Sequence, residues 1–104
     1  MYVLVDLESA PSAAPVLHEP DEFRSLKVVV RGEKGSLAEA IAPVGWLDPG
    51  GDAFLSVDAL RRLAGPRVRD ASWNASFEAM LEYARSKGWV DPSGGALQAH
   101  CEPA

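Results

Sequence analysis

The feature that most constrains this chain is one stretch of helical periodicity. From Ser72 to Lys87, Trp73, Phe77, Met80, Leu81 and Ala84 recur at three- and four-residue steps, while Asn74, Glu78, Glu82 and Arg85 fall opposite. Gly88 follows, where a left-handed residue can close a helix. A helix with a single apolar stripe must bury it against another layer, and the rest of the chain offers mainly short strands for that purpose. Arg24–Arg31 carries Leu26, Val28, Val29 and Val30 and stops at Gly32, which predicts a central strand. Ala53–Leu55 predicts another. Trp89-Val90 and Ala96–Cys101 flank a Pro-Ser-Gly-Gly segment and read as a hairpin with a long loop.

Two shorter helices complete the pattern. Ser36-Leu37-Ala38-Glu39 has the form of a capping box, so a helix is expected from about Leu37 until shortly before Pro43. Ser56 is placed to cap a second helix, with Asp58 in its first turn and Gly65-Pro66 as its stop. The fold expected is therefore α+β: a small, mainly antiparallel sheet, one long amphipathic helix and two short helices, in two layers. Residues 1–22 read as an N-terminal edge strand (1–8) followed by a proline-rich loop or tail, and residues 23–104 as a single α+β domain. With 104 residues there is room for one ordinary domain and a core that needs no metal or disulfide.

Cysteine and charge narrow the setting. Cys101 is the single cysteine, so no internal disulfide can form, and a reducing, cytoplasmic location is expected. The first residues lack a basic segment, and Asp6 and Glu8 interrupt their apolar run, unlike a secretory leader. No stretch is long and apolar enough to span a bilayer. The net charge is -5, with nine acids against four bases in residues 1–52. That balance disfavours non-specific binding to nucleic acid or anionic membrane, both of which draw affinity from a basic face.

Few residues stand out as carriers of chemistry. His100 and Cys101 are neighbours, but in a strand they point to opposite faces and cannot share an ion, and His18 lies in the proline-rich segment. Asp48 and Asp52 bracket a Pro-Gly-Gly turn without the further oxygen ligands of a calcium loop. No nucleophile elbow, phosphate-cradling loop or zinc-protease motif occurs. No metal or cofactor is expected. Trp46 lies between two glycine-bearing turns, where no period dictates an apolar partner, and is a candidate for either core packing or an interface anchor. Arg61, Arg62, Arg67 and Arg69 form the one basic cluster. Helix, turn, helix and hairpin around it follow the order of a winged-helix DNA reader. The linker from Gly65 to Ala71 is too long for that motif, however, and Glu78 and Glu82 would face phosphate.

The stretch Phe77-Glu78-Ala79-Met80-Leu81-Glu82-Tyr83-Ala84-Arg85-Ser86-Lys87-Gly88-Trp89-Val90-Asp91, followed by Ala99-His100-Cys101-Glu102, resembles the end of short uncharacterised actinobacterial proteins. The resemblance covers about a third of the chain, implies a cytoplasmic setting and brings no activity with it. Three functional readings follow. The first is a non-catalytic interaction or accessory module, binding a protein partner or itself, with Trp46 as its anchor. The second is a small enzyme or small-molecule binder, with a pocket gathering Trp46, His100 and Arg67 or Arg69. A nucleic-acid binder ranks last.

Overall fold

The computed structural model describes residues 1–8 and 14–104. The described elements run β1 (Tyr2–Asp6), β2 (Val16–His18), β3 (Lys27–Arg31), α1 (Leu37–Ile41), β4 (Gly45–Leu47), β5 (Ala53–Ser56), α2 (Val57–Ala64), α3 (Ala71–Lys87) and β6 (Ala96–Pro103). The six strands form one sheet in the order β2-β1-β3-β6-β5-β4.

The sheet is mixed, which corrects the expectation of a mainly antiparallel one. β1 pairs with β3, and β3 with β6, in parallel; β1–β2, β4–β5 and β5–β6 are antiparallel. Parallel neighbours need a crossover long enough to return the chain to the same end of the sheet. Between β3 and β6 that crossover holds α1, β4, β5, α2 and α3. Strand orientation over such distances leaves no local trace in the sequence.

The N-terminal strand is a second correction. β1 is paired on both sides, and its Val3 and Val5 are fully buried. Alternating Tyr-Val-Leu-Val-Asp looks like an edge because one face of the whole sheet is left uncovered, not because the strand lies at a margin. The edge on that side is β2, inside the segment expected to be a loop or tail. Residues 9–13 of that expected segment lie outside the described residues.

Side chains alternate across the sheet with period two. Val3, Val5, Val28, Val30, Ala53, Leu55, Leu97, Ala99 and Cys101 point into one core with Leu37, Ile41, Leu60, Trp73, Phe77 and Leu81 from the helices. Tyr2, Leu4, Val29 and Phe54 point the other way, and none of them belongs to that core or packs against it. The helices thus cover one face only. α2 touches both β2 and β5, strands four positions apart and about 19 Å distant along a flat sheet. The sheet therefore curls around its helices, leaving a convex outer face.

The long helix ends at Gly88 as expected, and at its start it has a cap that the sequence reading did not single out. Asp70 caps it, its Oδ1 accepting from the Ser72 amide at 2.8 Å, and Gly88 closes it with φ +75°. Trp73, Phe77, Leu81 and Ala84 are buried and Glu78 and Glu82 exposed, but Met80 is only half-buried, so the stripe is narrower than expected. Ser56 caps α2 as anticipated, accepting from the Ala59 amide at 3.2 Å. Ser36 makes no such bond. A 3₁₀ turn over Lys34–Ser36 leads into α1 instead, and the capping box is not formed. The expected hairpin is reduced to a bridge between Val90 and Leu97, because β6 takes its main partners from β3 and β5. Among the described residues no helix is long and apolar enough to cross a membrane.

Candidate functional site

The convex face carries its aromatic residues in cross-strand rows. Trp46 on β4 lies opposite Phe54 on β5, which lies opposite Gln98 on β6. The Trp46 and Phe54 rings stack at 5.6 Å with 20° between planes, and Trp46 remains 46% exposed. At that exposure Trp46 is not a core residue. Gly45 makes the row possible. A Cβ there would lie 1.9 Å from the Phe54 carbonyl oxygen, so only glycine lets β4 approach β5 this closely. At the other margin Tyr2 stacks on His18 at 5.1 Å. The charges on this face are largely paired in the plane of the sheet: Lys27 with Glu102 at 2.6 Å, and Arg31 with Glu8 at 3.4 Å.

One strand position further along, Asp52 precedes β5 and faces His100 on β6. Asp52 Oδ1 lies 3.6 Å from His100 Nδ1, and Asp52 Oδ2 accepts from Gln98 Nε2 at 3.1 Å. The backbone holds Asp52 in place, because the Asp48 amide donates to its carbonyl at 2.8 Å. Asp48 and Asp52 thus share a turn, while the Asp52 carboxylate is engaged across the sheet. His100 is exposed and Cys101 buried, on opposite faces as strand alternation requires. Among the described residues, no group of three or more histidine, cysteine or acidic side chains is arranged to hold a metal.

Asp52, Gln98, His100 and Trp89 border a shallow cavity of about 320 Å³. Trp89 and Gln98 also border a second, apolar cleft of about 240 Å³, whose other walls include Phe23, Leu26, Met80, Tyr83 and Leu97. Tyr83 and Trp89, both about half-exposed, meet edge to face at 5.8 Å. The two hollows therefore adjoin at Trp89, one bordered by Asp52, Gln98 and His100 and the other mainly by apolar side chains.

The remaining candidates lie elsewhere. Arg67 and Arg69 sit in a 3₁₀ turn, Gly65–Arg69, between α2 and α3. Arg67 makes a forked pair with Asp21 at 2.9 and 3.1 Å, which holds the Asp21 carboxyl below its ordinary range and raises Arg67 above its own. Arg61 bonds Glu78 and lies 5.2 Å from the Phe77 ring centre. The cavity beside His100 is bordered by neither Arg67, Arg69 nor Trp46. Trp89, Gln98 and Asp52 are the residues that sequence reasoning left out of the site. Trp89 stood out only as the residue after a helix cap, and the Asp52–His100 pairing depends on strand register.

No family model matches the chain, and neither the curated proteins nor the solved structures hold a match.

Proposed function

We propose that this protein is a non-catalytic interaction or accessory module that docks a protein partner, or a second copy of itself, on the convex face of its sheet, with Trp46 as anchor. One observation carries this reading: a tryptophan half-exposed on a sheet face that none of the described helices covers, stacked on Phe54 and preceded by the glycine that lets its strand approach β5. Sheets with parallel strands are ordinarily covered on both faces. Here the outward-facing Tyr2 and Leu4 of β1 and Val29 of β3 are only half-buried instead. Large aromatic side chains at the centre of an apolar patch are the usual hot spots of protein interfaces. Nucleic acid remains the last choice, since Arg61 and Arg67 are paired with carboxylates and the net charge is -5. A cytoplasmic, actinobacterial setting belongs to the same reading and rests on the single cysteine and the resemblance at residues 77–91.

Site-specific photo-crosslinking in cells tests it. A benzophenone amino acid at position 46 or 29 should give a discrete adduct, and the same group at position 82 on α3 should not. An adduct of twice the chain's mass identifies a second copy, and another mass identifies a different protein. Equal yields at all three positions, or none, would remove the convex face from consideration.

A second reading, a small-molecule binder or small enzyme, is supported by the Asp52–His100 pair beside the cleft at Trp89.

A further inference from the structure

We infer that the double hollow at Trp89 binds an organic ammonium with an apolar body, its charged end between the Asp52 carboxylate and the Trp89 indole and its body in the trough lined by Phe23, Met80 and Tyr83. Such a ligand does not require docking at the convex face, although Gln98 and His100 lie on that face. Arg24, at the rim of the trough, is clamped on Glu22 at 2.8 Å, and Lys27, across from His100, is paired with Glu102. These two cations near the hollow are thus already matched by carboxylates. Asp52 is less fully engaged: it accepts from the neutral Gln98 amide, and His100 Nδ1 stands 3.6 Å away, an ion-pair partner only when the imidazole is protonated. A carboxylate held by a neutral donor, open to a cavity and flanked by an exposed indole, favours a cation over an anion.

The aromatic wall favours the same ligand. A cation within about 6 Å of an aromatic ring centre is attracted by the ring's negative face, most strongly for tryptophan. The protein already makes this contact beside the hollow, where Lys87 Nζ lies 5.5 Å from the centre of Tyr83. Tyr83 in turn packs edge to face on Trp89, which is 47% exposed and carries no cation of its own among the contacts described. The net charge of -5 adds a field that draws cations toward the molecule. The apolar trough supplies burial for a hydrocarbon or aromatic body, and Gln98, common to both hollows, joins the two ends. An ammonium of this kind can arrive as a free amine or as a lysine side chain on another protein.

Two-dimensional amide NMR of the full chain decides the matter, because each indole gives its own signal. The probes are phenethyltrimethylammonium chloride, the anionic 3-phenylpropanoate of similar shape, and the blocked tripeptide acetyl-Gly-Lys-Gly-amide. The ammonium should shift the Trp89 indole and the Gln98 side-chain amide saturably, with a Kd of about 1 mM or tighter, and the carboxylate should not. Asp52→Asn should weaken binding about tenfold while leaving the amide spectrum dispersed, since asparagine suits the turn equally well. Trp89→Leu, at an exposed position, should do the same and serves if Asp52→Asn disturbs the turn. Tighter binding of the tripeptide assigns the ammonium to a partner's lysine; tighter binding of the small amine assigns it to a free ligand. The inference falls if the carboxylate shifts the same signals equally, if neither cation saturates, or if binding is unchanged in both variants.

Discussion

Replacing Gly45 with alanine tests how the convex face is built. The glycine is needed for contact distance, not for an unusual backbone angle: its φ is not among the positive ones. An added Cβ would sit 1.9 Å from the Phe54 carbonyl oxygen, 3.0 Å from its carbonyl carbon and 3.1 Å from Leu55 Cα, where ordinary contact begins near 3.4 Å. All three atoms are backbone, so no side chain can swing aside. β4 must move away from β5, and the register Gly45–Leu55, Trp46–Phe54, Leu47–Ala53 is lost with it. A short ladder of hydrogen bonds at about 1 kcal/mol each, together with a ring pair worth about 0.5–1.5 kcal/mol, sets the expected loss at about 2–4 kcal/mol. The loss is bounded because β4 is an edge strand and can detach without opening the core. A urea titration gives the stability and near-ultraviolet dichroism reports the Trp46–Phe54 stack. Gly35→Ala is the control, since nothing lies within 4 Å of its added atom, and it should stay within about 0.5 kcal/mol of the wild type. A Gly45→Ala protein that loses less than about 1 kcal/mol and keeps its aromatic dichroism would refute the reasoning.

Three further outcomes are expected. Phe77 is fully buried and stacked on Trp73 at 4.9 Å, so Phe77→Ala should lose about 3–5 kcal/mol in the same titration; a loss below about 1 kcal/mol would show that the stripe is not core. Asp70→Ala removes the side-chain acceptor at the start of α3 and should lower stability by about 1 kcal/mol, visible as a lower thermal midpoint, while Asp70→Ser should restore most of it. The Glu22 carboxyl is drawn from 4.5 down to about 2 by the Arg24 side chain and then by its backbone amide. A depressed carboxyl contributes stability above its unfolded value that fades as the pH falls toward its folded one. The thermal midpoint should therefore decline between about pH 4.5 and 2, and Glu22→Gln should flatten that decline slightly, as an exposed pair allows; identical slopes would count against the pairing.

What the sequence made legible was what local chemistry controls. The Val28–Val30 run was readable as a central strand because β-branched residues buried between neighbours need no other signal. The Trp73–Ala84 stripe and its Gly88 end were readable because helix period and cap lie within a few residues of one another, whereas the Asp70 cap was not singled out. The parallel pairing of β1 with β3 and β6 was not, because register between distant strands is set by the whole core. β2 was hidden in the proline-rich segment, being three residues long and held by a single neighbour. Ser36-x-x-Glu39 had the right letters for a capping box, but the 3₁₀ turn before it sets Ser36 at φ −109°, ψ 13°, and its hydroxyl caps nothing. At the candidate site His100 and Trp46 were singled out, yet Asp52 was read with Asp48 on its own turn. Its carboxylate serves a histidine 48 positions away, a pairing that only the β5–β6 register creates.

The place of β6 has a consequence for how the chain acquires its shape. It lies between β3 and β5, so strands β2-β1-β3 and the β5–β4 pair are joined only through it. As the polypeptide leaves the ribosome, those two fragments must wait as separate half-sheets, each with an unsatisfied margin, until residues 96–103 emerge and slot between them. Contacts of such wide sequence separation are slow to form and expose sticky margins meanwhile. The sheet therefore closes only once residues 96–103 are available, and a chain truncated before Ala96 would leave both half-sheets with open margins.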